Sequence, residues 1–105
     1  REDIRPDLVC RSRDGGKDAV ILEFKRPKEK VKMAHVTQAL EYQGLIEAER
    51  PNIQITTYLV GRTYEPSVLS IKDKQAQAGL HLWSFNEILQ LARARFEKIL
   101  EILGR

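Results

Sequence analysis

Ile21-Leu22-Glu23-Phe24-Lys25-Arg26-Pro27 is the stretch on which the reading of this 105-residue chain turns. With Ala19 and Val20 before it, the run is apolar and β-branched enough to predict a strand over Ala19 to Lys25, and Pro27 stops it. Charges sit where a buried strand disfavours them, at Glu23 and Lys25. Side chains alternate along a strand, so Glu23 and Lys25 share a face with Ile21. Val20, Leu22 and Phe24 make the other face, which is wholly apolar and is expected to meet the core.

A second segment upstream carries the same oddity. Arg5-Pro6-Asp7-Leu8-Val9 sets an aspartate against a short strand predicted over Leu8 to Ser12. Between the two strands, Arg13-Asp14-Gly15-Gly16-Lys17-Asp18 supplies the glycines that a hairpin turn needs. Loop length then decides which residues share a face, because directly paired residues project to the same side. A two-residue loop at Gly15-Gly16 pairs Leu8 with Glu23 and Asp7 with Phe24, which separates the carboxylates. A three-residue loop, Asp14-Gly15-Gly16, pairs Asp7 with Glu23. Asp-Gly-Gly suits that loop, a type I turn followed by a glycine bulge.

Beyond Pro27, Lys28 to Lys32 reads as a polar connection and Ala34 to Ala48 as a helix, with Val36, Ala39, Leu40 and Ile46 among its apolar positions. Pro51-Asn52 breaks it. A strand is predicted over Ile53 to Val60, ended by Gly61. Pro66 to Ala78 is predicted as one helix with Gly79 at its C-cap, followed by a short strand, Leu80 to Trp83. Ser84-Phe85-Asn86-Glu87 has the form of a capping box and opens an amphipathic helix to Leu103. Phe85, Ile88, Ala92, Phe96, Ile99 and Leu103 form its stripe, and Gly104 its cap. Hairpin, helix, strand, helix, strand, helix implies an α/β class chain, a mixed sheet with helices packed on it.

Length and composition bound the function. The chain is one domain over residues 1–105, with 42% hydrophobic and 31% charged residues, a globular balance. The net charge of +3 mildly favours a polyanionic partner and is equally compatible with an ordinary solvated surface. A single cysteine, Cys10, excludes an internal disulfide and a cysteine-rich zinc site, and fits a reducing cytoplasmic setting. No apolar run approaches the ~18 residues of a membrane span. The chain begins at Arg1 inside a charged segment, which reads as the C-terminal part of a longer protein with further domains.

If Asp7 and Glu23 converge, the chemistry follows. Two carboxylates and the backbone carbonyl of Phe24 suit one Mg²⁺ or Mn²⁺ that keeps several waters. Such an ion would acidify a water and neutralise charge on a phosphate. Lys25, two positions along the same face, would stabilise developing charge. Short patterns of this kind also arise as a surface ion pair and a Pro-Asp turn, and that reading stays open at this point.

Pro6-Asp7 followed by Glu23-Phe24-Lys25 at the end of an apolar strand resembles the PD-(D/E)XK nuclease superfamily, over about residues 4–61. Gln38-Ala39-Leu40-Glu41-Tyr42, a Gln-x-x-x-Tyr pattern on the next helix, resembles the exonuclease-like branches similar to RecB and lambda exonuclease. The resemblance implies a restriction-endonuclease-like core. It also implies a metal-dependent nuclease acting on nucleic acid, DNA above all, within a restriction, repair or phage-defence protein. Asp7, Glu23, Lys25 and Gln38 would be catalytic and Tyr42 would contact nucleic acid. The superfamily also places an acidic residue on an earlier helix, and a strand between that helix and the Asp motif. Glu2 and Asp3 lie too close to Asp7 to be that helix, so the N-terminal core elements are expected upstream of Arg1 or absent. A non-catalytic module on the same fold, binding nucleic acid or mediating oligomerisation, is the alternative, with a homodimer as a further expectation.

Arg26, Lys28, Lys30 and Arg62 would suit phosphate contacts, which position a nucleic acid without reading its sequence. Arg93, Arg95 and Lys98 read as the wet face of the last helix. His35, near a helix start, reads as a surface residue with metal ligation or water activation as its less common roles. His81 reads as structural, and Cys10 as core. Ser12 and Ser84 lack a base partner for nucleophilic chemistry.

Overall fold

The computed structural model describes residues 8–11 and 17–104. The first two strands, β1 (Leu8–Arg11) and β2 (Asp18–Phe24), pair antiparallel as a hairpin. A two-residue strand follows, β3 (Lys30–Val31), then α1 (Met33–Glu49) and β4 (Gln54–Val60). β5 (Thr63–Tyr64), α2 (Pro66–Leu69), α3 (Lys72–Gln77), β6 (Leu80–Trp83) and α4 (Phe85–Leu103) complete the order. The main sheet runs β1-β2-β4-β6, with β2, β4 and β6 parallel. β3 and β5 pair parallel in a separate two-stranded ribbon. The chain is thus a mixed α/β fold, and among the described residues no helix is long and apolar enough to cross a membrane.

The hairpin register is Leu8 with Leu22, Val9 with Ile21, Cys10 with Val20 and Arg11 with Ala19. Over these pairs it is the register of the three-residue loop, not of the two-residue one. The loop itself lies outside the described residues.

Parallel pairing aligns Ala19, Ile21 and Glu23 with Ile55, Thr57 and Leu59 of β4, and Thr57 and Leu59 with Leu80 and Leu82 of β6. This is the buried face. Val36 and Ala39 of α1 pack there with Leu59, Leu80 and Leu82, joined by Val31 and Val68. Ile46, near the helix end, closes a second cluster with Ala19, Ile21 and Ile55. The helix therefore runs antiparallel to β2 and β4, its start over their carboxyl ends. Burial of Val36, Ala39 and Ile46 follows from their spacing of three and seven residues, one stripe of a 3.6-residue helix.

Two sequence expectations are corrected here. The apolar face of Val20, Leu22 and Phe24 is not the main core face: Ala19 and Ile21 are 2% exposed, whereas Val20 and Leu22 are half-buried and Phe24 is 39% exposed. Alternation defines two faces, but the position of α1 decides which is sealed. On the half-open face Tyr58 stacks on His81 at 5.1 Å and meets Trp83 at 4.6 Å, while Phe24 stacks on Phe85 at the start of α4. The second correction concerns helix continuity. Pro66 to Ala78 is two short helices, because Ile71 leaves the helical region between α2 and α3.

Punctuation behaves as its chemistry dictates. Gly79 takes φ +90°, and a Cβ there would lie 2.9 Å from the Ile55 carbonyl, so glycine is required after α3. At the start of α4 the Ser84 hydroxyl accepts the Glu87 N–H at 3.1 Å and the Glu87 carboxylate accepts the Ser84 N–H at 3.0 Å, the reciprocal capping box.

Candidate nucleic-acid-cleaving site

The carboxyl ends of β2, β4 and β6 meet the start of α1 at one edge of the sheet, where open parallel sheets bind ligands. Glu23 is half-buried on the face beneath α1, as alternation with Ala19 and Ile21 requires. Lys25 is also half-buried. Its N–H donates to the Val60 carbonyl at 2.8 Å, which carries β2 into the loop beside β4. Gly61 lies against it. A Cβ at Gly61 would fall 3.9 Å from Lys25 Cβ and 2.5 Å from Val31 Cγ2, so only glycine lets β3 pass this close.

His35 is not the surface histidine that the sequence suggests. Its side chain is 15% exposed and its Nδ1 accepts the Lys32 N–H at 3.0 Å, the reach-back that Glu or Gln makes in an ordinary capping box. With Nδ1 accepting, the neutral ring carries its proton on Nε2, which lies 3.9 Å from Glu29 Oε2. Burial is the main cause that lowers the His35 pKa below 6.5, and the positive charge of Lys25 is the next. Lys32 adds to this, while Glu29 and Glu65 act in the opposite direction. His35 and Lys25 thus belong to one electrostatic neighbourhood. The signal that could have found it is the Lys32-to-His35 spacing at a helix start, which places a ring nitrogen on a free backbone N–H.

Tyr42, seven residues and two turns after His35, packs against the Ala19, Ile21, Ile46 and Ile55 cluster and is half-buried. It borders the cluster under the later part of α1, away from the helix start over the carboxyl edge. Gln38, four residues before it, is exposed on the outer side of that flank. Arg26, Lys28, Lys30 and Arg62 are all exposed; Arg26 follows β2, Arg62 follows β4, and Lys28 and Lys30 lie on the way to α1. Lys28 to Lys32 is not simply a polar connection, since Lys30–Val31 forms β3 and buries Val31 completely.

Tyr64 ties this edge together. Its hydroxyl lies within hydrogen-bonding reach of the Leu59 carbonyl at 3.0 Å and of the Trp83 carbonyl, and accepts the Gly61 N–H at 3.1 Å. Burial, with a smaller contribution from Glu87, pushes its pKa up to about 12 against the favourable Gly61 hydrogen bond.

Asp7 lies outside the described residues. Among the described residues no group of three or more His, Cys, Asp or Glu side chains forms a metal cluster, so Glu23 and the Phe24 carbonyl are the described part of the expected ligand set. A hard cation suits that oxygen-only set. The arrangement brings Glu23, Lys25 and His35 to one edge, with exposed basic side chains in the segments around it, and does not bring Tyr42 or Gln38 there. No protein-family model matches the chain, and no match was found among curated proteins or among solved structures.

Proposed function

We propose that the chain is a metal-dependent nuclease domain of the PD-(D/E)XK type, hydrolysing phosphodiester bonds in DNA within a larger restriction, repair or phage-defence protein. The observation that carries the reading is the hairpin register, Leu8 with Leu22, beside a sheet edge where Glu23 ends the face under α1 and Lys25 follows directly after β2. If the same register extended one residue beyond Leu8, Asp7 would pair with Glu23, the arrangement that two metal-binding carboxylates need.

Asp7, Glu23 and the Phe24 carbonyl would hold Mg²⁺ or Mn²⁺. When bound, the ion supplies positive charge against the phosphate and lowers the pKa of the attacking water. The chain's own groups do the rest. Lys25 offsets charge developing on the phosphate oxygens, an electrostatic role rather than that of a base. His35, neutral near pH 7, leaves that cationic edge without a further charge. Tyr42 and Gln38 border the path of the strand, and Arg26, Lys28, Lys30 and Arg62 contact its phosphates.

Mn²⁺ titration tests the ligand set. Binding followed by calorimetry, and by paramagnetic broadening of backbone resonances around Phe24 and Lys25, should be lost in both Asp7→Asn and Glu23→Gln. Equal Mn²⁺ affinity in the protein and both variants would remove these carboxylates from the site.

A further inference from the structure

The outer flank of α1 carries a surface that the fold leaves uncovered. At 100° per residue, Met33, Thr37, Leu40 and Gly44 fall within about 60° of one another on the helix wheel, a stripe whose Leu40 side adjoins the buried stripe of Val36, Ala39, Gln43 and Ile46. Met33 is 40% and Leu40 37% exposed, and Thr37 and Gly44 are exposed as well. Tyr42 and His35 lie on the other flank, beyond the buried stripe.

Gly44 is unexplained by the chain's own packing. It lies within a 17-residue helix, its φ is not positive, and a Cβ there would meet nothing within 4 Å. Glycine is the poorest helix former after proline, so the position gives up helix stability for no intrachain contact. What glycine permits is the close approach of another surface from outside.

Charge gives the orientation. Lys28, Lys30 and Lys32, with Glu29 among them, precede the helix, its first turn has no acidic residue, and Glu47 and Glu49 stand at its end, ahead of the C-cap Arg50, with no basic residue in the last turn. This is the reverse of what the helix macrodipole favours. A helix of the same sequence lying antiparallel relieves it, because the lysines before each helix then stand at the level of Glu47, beside the stripe, at the end of the other. The stripe spacing of four, three and four residues reads the same in both directions. Antiparallel pairing therefore sets Met33 of each copy over Gly44 of the other, and Leu40 over Thr37, large against small.

We propose that a second copy of this chain packs antiparallel on α1 through Met33, Thr37, Leu40 and Gly44. The interface is isologous, as two-fold dimers require, and it leaves the Glu23–Lys25 edge open. It stands independently of the nuclease proposal.

Sedimentation velocity over a concentration series tests it. The protein is expected to dimerise, with association weakened at least about tenfold in both Leu40→Glu and Gly44→Leu while far-ultraviolet circular dichroism is unchanged. Gly44→Ala separates packing from folding: it should raise the thermal stability of the monomer, since its Cβ is unobstructed, yet weaken the dimer. Glu47→Lys and Lys28→Glu/Lys30→Glu should each fail to self-associate and should form a heterodimer when mixed. A protein monomeric at every concentration, a dimer indifferent to Leu40→Glu and Gly44→Leu, or a monomer that uses this flank to bind a different chain would overturn the proposal.

Discussion

Replacing Tyr64 by Phe removes one hydroxyl from the carboxyl edge of the sheet and nothing else. That hydroxyl accepts the Gly61 N–H and donates toward the Leu59 and Trp83 carbonyls, linking β4, the turn after it and β6. Its single proton serves one carbonyl well at a time, so the substitution deletes about one donated and one accepted bond. The Gly61 N–H also reaches the Trp83 carbonyl at 3.1 Å and keeps a partner. At ~0.5–1.5 kcal/mol per bond, the loss is about 1–2 kcal/mol rather than the larger cost of an orphaned buried donor. For a domain of this size that lowers Tm by roughly 4–16 °C. Urea titration followed by circular dichroism should show the midpoint falling with an unchanged slope.

The same hydroxyl gives a pH signature. Its folded pKa is raised to about 12 from 10.0, so the unfolded chain loses this proton first as pH rises. The stabilisation is fully present below pH 10 and is lost as pH climbs through about 12. Tyr64→Phe should flatten that part of the alkaline stability profile. An unchanged urea midpoint, or the same alkaline loss in both proteins, would refute the reasoning that the hydroxyl is a structural tie.

Three further outcomes follow from positions around the core. Gly61→Ala forces a Cβ to 2.5 Å from Val31 Cγ2, and the overpacking should cost about 1–3 kcal/mol in a urea titration, with no loss refuting the close approach. Thr57 is fully buried and its hydroxyl has no hydrogen-bond partner, so Thr57→Val should raise stability by up to about 1 kcal/mol; a decrease would mean the hydroxyl is satisfied. The His35 pKa lies below 6.5, so the unfolded chain takes up this proton first, and stability should fall as pH drops below 6.5 until the folded value is reached. His35→Gln, which keeps an acceptor for the Lys32 N–H, should weaken that dependence when urea midpoints at pH 7.5 and 5.5 are compared, and an identical dependence would place its cause elsewhere.

Particular residues show what the sequence makes legible. Leu80 to Trp83 and the Ser84 capping box are local: a short apolar run and a side-chain cap carry their own information, and both stand where expected. β4 is equally local, a β-branched run bounded by Pro51-Asn52 and Gly61. β3 and β5 are not. Two residues each, they have no period of their own and exist because Val31 and Tyr64 find one another across the chain. The break at Ile71 escapes pattern reading because nothing in Ser70-Ile71 is a breaker by itself.

The core face escaped for a related reason. Val20, Leu22 and Phe24 are the more apolar side of β2, but Ala19 and Ile21 are the residues that α1 covers. Apolar residues under a helix and apolar residues on a half-open face look alike in a binary pattern. In the candidate site, Glu23 and Lys25 were readable from alternation alone. The place of His35 was not, since it depends on α1 starting over the carboxyl end of β2.

The central claim is that the Glu23–Lys25 edge cleaves phosphodiesters. Its most direct measurement is Mg²⁺-dependent cleavage of single- and double-stranded DNA and RNA by the protein and by Glu23→Gln and Lys25→Ala. Magnesium-dependent cleavage of DNA that falls by about 10²-fold or more in both variants is predicted, the scale expected when a transition-state charge contact is removed. Equal cleavage by all three proteins, or no cleavage of any substrate, would contradict it.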